Sequence, residues 1–346
     1  MDAALRFAAA LLAGACGGML FWWLRTPLPW VLGSMTACAI SSVGGLPLRA
    51  SSSMRKPMAA VIGVMLGSSF HPDLFAQAQA WIVPLALLPI FLVNAALICV
   101  FYFRRVAGFD AATAFFSGMP GGIAEMVLMG AERGADERAI GLIHAARIFL
   151  VVFILPFLIR LFHGPIPLAS GSVAVEAGDT ADWTLLLWGG GCIAIGLTLG
   201  RMFRLPAWHL IGPLFVSAAV HASGLTDFRI PAWALAAAQV GLGATIGCRF
   251  MGLSLPMLAR ILGIAAGSTA IMLTLTFLWA FGISWATGID ATLLILAYSP
   301  GGVAEMSMVA LSLALEPGFV IIHHLVRVVF VLIGTPLLYR MNERTP

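Results

Sequence analysis

The amino-acid sequence predicts an all-α polytopic membrane protein: two inverted repeats, each of about five transmembrane helices plus one segment that is Pro-Gly-Gly-broken or re-entrant. Three observations predict it: the composition, an internal repeat, and the uneven placing of the basic residues.

Of the 346 residues, 61% are hydrophobic and 10% charged, against roughly 25% charged in an average soluble domain. Apolar runs recur from end to end, each near the about 17–25 residues that a helix needs to cross the hydrocarbon core. No stretch is left for a water-soluble domain. The first run, Ala3 to Leu24, starts with Asp2 beside Arg6 and ends without a small-residue cleavage pattern, which makes it a spanning helix rather than a signal peptide. The net charge is +4, and only Lys56 among the 19 basic residues is a lysine. Because these charges are scattered singly over short loops, they report topology and not nucleic-acid affinity. Cys16, Cys38, Cys99, Cys192 and Cys248 have no C-x-x-C spacing and are expected to be buried free thiols.

The repeat appears when Gly108-Phe109-Asp110-Ala111 is set on Gly288-Ile289-Asp290-Ala291, 180 residues later. Without a gap, Pro120-Gly121-Gly122-Ile123-Ala124-Glu125-Met126 then returns as Pro300-Gly301-Gly302-Val303-Ala304-Glu305-Met306. His144 and Arg147 return as His324 and Arg327, and Pro156 returns as Pro336. Earlier in each half the echo is fainter: Gly63, Gly67 and Phe70 match Gly243, Gly247 and Phe250, and Gly33 matches Gly212 one residue out of step. The halves are therefore residues 1–163 and 183–346. An acidic, Pro/Gly/Ser-containing linker at 164–182, expected to be extracytoplasmic, joins them.

Each half holds six apolar segments, and the fifth is interrupted by the Pro-Gly-Gly. A proline removes a backbone donor and clashes with the preceding turn, so this segment crosses as a broken helix or turns back to the side it entered. If both fifth segments turn back, fourteen basic residues lie inside, three outside, and Arg147 and Arg327 within the membrane. Full crossing gives ten inside against seven outside. The first arrangement leaves five net crossings per half, so the second half is upside down relative to the first. Both termini are then cytoplasmic, in a multi-pass protein of the cytoplasmic (inner) membrane.

Inverted repeats with matching broken segments point to a secondary transporter whose site lies near the bilayer midplane. Charge there is costly, so ionisable residues are functional candidates. The site residues expected are Pro120, Gly121, Gly122, Glu125, His144 and Arg147, with Pro300, Gly301, Gly302, Glu305, His324 and Arg327. The glutamates would carry Na+ or H+, and the arginines would hold an anion or pair with the glutamates in crossed ion pairs. Each histidine would satisfy a buried hydrogen bond or move a proton. Asp110 and Asp290 are expected to be N-caps, and the many glycines to permit close helix contact.

The doubled Pro-Gly-Gly-[Ile/Val]-Ala-Glu-Met resembles the AbrB membrane protein family and, more remotely, is similar to the bile-acid-symporter and cation/proton-antiporter superfamily. The resemblance implies inverted five-helix repeats and alternating access. The names ammonia monooxygenase and regulator also circulate in that family. A copper or iron enzyme needs a cluster of His and carboxylate ligands, and no H-x-x-x-H or E-x-x-H spacing supplies one. A DNA-binding regulator needs a soluble basic module, whereas the longest loop here is short and acidic.

The expected function is secondary active transport of a small anionic or polar solute coupled to H+ or Na+, with no cofactor. A channel, a membrane metalloenzyme and an indirect effect on gene expression are the alternatives. The partners expected are membrane lipid and a small solute or ion, with no nucleic acid; such a chain is also compatible with a homo-oligomer.

Overall fold

The computed structural model describes residues 3–50, 52–163 and 183–343. The linker expected at 164–182 and the extreme termini lie outside them. Among the described residues there are helices and turns and no strands. The order is α1 (Ala3–Trp23), α2 (Pro29–Val43), α3 (Ser52–Gly67), a 3-10 segment (Pro72–Trp81), α4 (Ile82–Arg105), α5 (Ala111–Gly118), α6 (Ile123–Ala131) and α7 (Glu137–His163). The same order then returns: α8 (Trp183–Met202), α9 (Trp208–Ala222), α10 (Ala232–Gly247), a 3-10 turn (Cys248–Phe250), α11 (Leu255–Thr287), α12 (Ala291–Tyr298), α13 (Val303–Ser312) and α14 (Pro317–Glu343). Five stretches are long and apolar enough to cross a membrane: Leu5–Trp23, Ala78–Arg105, Glu137–Leu161, Leu255–Thr287 and Pro317–Tyr339. α2, α9 and α13 are shorter apolar helices. The recurrence reaches local detail, since the residues before α2 and α9, Leu28 and Ala207, both take left-handed backbone.

The chain divides into two compact units. One comprises Met1–Ala78, Leu155–Leu253 and Ser307–Gly318; the other comprises Gln79–Ile154, Ser254–Met306 and Phe319–Pro346.

Backbone-to-backbone contact at glycines sets the packing of the first unit. A Cβ on Gly17 would strike the Gly33 carbonyl, and one on Gly196 would strike Gly212 and Pro213. α1 therefore packs on α2, and α8 on α9, with small residues at the crossing as lipid-embedded helices require. The third helices are exchanged between copies: α3 packs on α9 and α10 packs on α2. Gly63 meets Leu210 and Gly67 meets Leu214 and Ser217, so α3 and α9 run parallel. Gly243 meets Val31 and Met35 and Gly247 meets Met35 and Ala39, so α10 and α2 are also parallel. α3 and α10 run antiparallel: Gly241 lies on Met58, and the charge of Arg55 is felt at Arg249, beyond the end of α10.

In the second unit α4 packs on α5 and α11, and α11 on α12. α5 and α6 form a hairpin. The Asp136 N–H, just past α6, donates to Thr113 Oγ1 in the first turn of α5 at 2.9 Å, so the segment ends beside its own start. α7 then climbs along α5, with Asp136 level with Thr113 and His144 level with Phe116.

The glycine contacts generate a test. Gly63→Val and Gly243→Val are expected to destabilise the first unit by about 1–3 kcal/mol or more, as overpacking against backbone does. Gly263→Val, which meets nothing within 4 Å, is the control. Fluorescence-detected gel filtration after graded heating reads the difference, and three equal profiles would contradict the packing.

Candidate binding site at the two helix breaks

Phe116 is four residues before Pro120, so its carbonyl would normally accept a hydrogen bond from an N–H that proline lacks. His144 supplies the missing donor: its Nε2 is 2.9 Å from Phe116 O. The second copy repeats this, with His324 Nε2 3.0 Å from Leu296 O, four residues before Pro300. Past the end of each half-helix the arginines take the next carbonyls. Arg147 Nη1 donates to Met119 O at 3.3 Å, and Arg327 Nη1 donates to Ser299 O at 2.6 Å. His144, Arg147, His324 and Arg327 are all at most 6% exposed.

The two glycines have steric roles, not conformational ones. Gly122 has ordinary backbone angles, φ −71° and ψ 147°. A Cβ on Gly121 would meet the Met126 side chain, and one on Gly122 would meet Glu125 Oε2. Gly301 with Met306, and Gly302 with Glu305, do the same. Each glutamate is the third residue of its helix and folds back over the residue before the first, the place of the acid in a capping box. There it also faces the positive end of the helix dipole, while each arginine faces the negative end of the preceding half-helix. Glu305 is buried and Glu125 half-buried.

All twelve expected residues belong to the second unit. Arg147 and Glu305 are both near enough to Arg327 for their charges to act on it, so the two breaks converge. Among the described residues the hydrogen-bond partners of Arg147 are His144 Nδ1 at 2.8 Å, Met119 O and the Met272 thioether at 3.7 Å. Pro120, with Met119, Leu92, Phe330 and Gly334, lines a narrow apolar groove.

The copies differ in one respect. His144 donates from Nε2 to a carbonyl and accepts at Nδ1 from Arg147 Nη2, which defines a neutral ring in the Nε2–H tautomer. Arg327 instead turns both terminal nitrogens to the break, at Ser299 O and Gly301 O, and His324 Nδ1 is buried with no partner among the described residues. Residues that sequence reading passed over also belong here. Met126 and Met306 fill the space above the first glycine, and their recurrence five residues on in both copies was the available signal. Asp110 and Asp290 are N-caps as expected, accepting from Thr113 N at 2.9 Å and Leu293 N at 3.0 Å.

The fold and the two converging breaks define a duplicated polytopic helical membrane protein. A family model described as "Transition state regulatory protein AbrB" matches residues 30–343, and the chain belongs to that family. It is 27% identical over 353 residues to "Uncharacterized protein YhjN" of Bacillus subtilis (strain 168), covering 94% of this chain and 90% of that protein. It is 25% identical over 321 residues to "Putative regulator AbrB" of Escherichia coli (strain K12), covering 92% and 90%.

The unequal bonding predicts unequal mutants. His144→Leu strands both Phe116 O and an Arg147 nitrogen, and is expected to cost about 1–3 kcal/mol. His324→Leu leaves Leu296 O its bond from the Ser299 hydroxyl at 3.0 Å, so its loss is smaller. Thermal unfolding in detergent ranks the two, and the opposite order would show the assignment wrong.

Proposed function

We propose that this protein is a secondary active transporter of the cytoplasmic membrane, working by alternating access on a small anionic solute coupled to H+ or Na+. The observation that carries the reading is the convergence of Arg147 and Arg327: two buried cations from equivalent positions in the two copies, near enough to act on each other. Among the described residues, the hydrogen-bond partners of Arg147 are an imidazole, a carbonyl and a thioether. An anion between the two would relieve their repulsion, and the half-buried Glu125 would be the group exposed to a coupling ion.

The inverted arrangement has support in the helix directions. α10 runs with α2 and against α3, while α3 runs with α9; corresponding helices of the two copies therefore run oppositely. The α5–α6 hairpin supports a segment that turns back, and with it five net crossings per copy and cytoplasmic termini. The channel reading shares the re-entrant hairpins but not the need for two mutually repelling cations at the meeting point. A metalloenzyme would require His144 as a ligand, yet both its ring nitrogens are already engaged. The word regulator in a relative's name fits an indirect effect, through a solute whose level alters gene expression.

Gradient-driven uptake by proteoliposomes, screened over organic and inorganic anions with and without Na+, tests the proposal. Arg147→Gln and Arg327→Gln are each expected to lower uptake by more than about tenfold, in line with the loss of a buried charge contact. Glu125→Gln is expected to change the cation dependence. Near-normal uptake in all three, with normal insertion, would reduce these residues to fasteners. Conductance in planar bilayers without saturable uptake would favour the channel.

Cysteine accessibility tests the topology separately. Single cysteines at Arg104 and Arg133 are expected to label from the same side of the membrane; opposite sides would mean that the fifth segment crosses.

A further inference from the structure

The first unit contains a pair of thiols that sequence spacing conceals. Cys38 lies on α2 of the first copy and Cys248 directly follows α10 of the second, 210 positions later, yet the two thiols are close enough to act on each other, while the Cys38 thiol donates to Ala10 O at 3.2 Å. Both belong to one small apolar cluster with Ala10, Leu48 and Ala244. The helices bearing them touch backbone to backbone here: a Cβ on Gly247 would come within 2.8 Å of Cys38 Cβ and of Ala39 N. A helix approach this close is of the kind that a disulfide requires, with Cα atoms about 4.4–6.8 Å apart.

The pseudo-equivalent crossing, α3 on α9, provides an internal comparison. In the repeat alignment Cys38 corresponds to Ser217 and Cys248 to Ser68. Those hydroxyls donate to backbone carbonyls, Ser217 to Val64 O at 2.8 Å and Ser68 to Met65 O at 2.7 Å. The packing is thus satisfied by serine at both positions in one crossing and carries sulfur at both in the other. Packing alone does not call for the thiols.

We propose that Cys38 and Cys248 form a reversible dithiol–disulfide modification site that, when oxidised, covalently joins α2 of the first copy to the end of α10 of the second. The oxidant class is a low-molecular-weight disulfide. Cys248, 9% exposed where Cys38 is fully buried, attacks as thiolate; a new S–S bond forms to one sulfur of the oxidant and the other leaves as a thiolate. Cys38 then attacks the Cys248 sulfur, forming the internal disulfide and expelling the second oxidant thiolate. The two leaving thiolates take up the two protons lost by the cysteines, and the cysteines are oxidised by two electrons as the oxidant is reduced.

The site is independent of the transport reading and is tested without a substrate. Full-length protein, purified reduced in detergent, is treated with oxidised glutathione, and its thiols are counted after denaturation. Five free thiols are expected to fall to three, with the cross-link mapped by mass spectrometry of unreduced peptides to Cys38 and Cys248, and with a raised melting temperature that dithiothreitol reverses. Cys38→Ser is expected to trap glutathione on Cys248, and Cys248→Ser to leave the fully buried Cys38 reduced. Serine at both equivalent positions of the other crossing makes these variants conservative, and the mapping on unsubstituted protein decides the question whatever their stability. Five thiols persisting after treatment, or a cross-link through any other cysteine, would overturn the proposal.

Discussion

A backbone carbonyl left unpaired in lipid is the constraint on which the rest of this site depends. Hydrocarbon offers no water to replace a missing N–H, so every broken helix must be repaired by protein. Pro120 and Pro300 each remove the donor owed to a carbonyl four residues earlier, and the imidazoles of His144 and His324 replace it. Arg147 and Arg327, one helical turn further along, continue the repair at Met119 O and Ser299 O. The Pro-Gly-Gly motif and the H-x-x-R pair are therefore two parts of one device. Their separation is fixed because α7 and α14 run alongside the half-helices that they repair.

The same device is seen in two conditions within one molecule. In the first copy the arginine bonds its own histidine; in the second it turns fully to the break and leaves the histidine nitrogen vacant. Two equivalent elements with different hydrogen-bond patterns show that the arrangement has more than one closed solution. Alternating access needs elements of that kind, since a solute can shift an equilibrium only between states that already differ in what they offer it. An exchange of the two patterns between copies would change which break presents a free imidazole.

Much of this was legible in the sequence, for identifiable reasons. Helices announce themselves by apolar length, and the repeat by a gapless offset, so the class of fold and the positions of the two breaks could be read directly. The N-caps Asp110 and Asp290 followed from position alone. The carbonyl partners were hidden, because acceptors are backbone atoms that no residue name records; only the proline four residues on betrays Phe116 and Leu296. The role of the break glycines was also hidden: Gly122 has the angles of any extended residue and is small because a glutamate sits above it. Cys38 and Cys248 were illegible for a third reason: their contact depends on an exchange of helices between copies that no local pattern encodes.

Repair of the breaks does not by itself account for the charges. A neutral imidazole already caps the orphaned carbonyl, and any buried amide donor could serve the next one. A cation at the negative end of a short helix gains at most about 2 kcal/mol, whereas a buried ion loses several kcal/mol of hydration. The second copy has a carboxylate, Glu305, close enough to offset part of that loss for Arg327. For Arg147 the partners are a carbonyl, an imidazole and a thioether, none of them charged. Placing a second cation within reach of the first adds repulsion to the cost of burial, and a structural fastener would gain nothing from it. An anion held between the arginines, as proposed above, would offset both costs, so the electrostatics that make two close buried cations unfavourable are those that would make such a site selective.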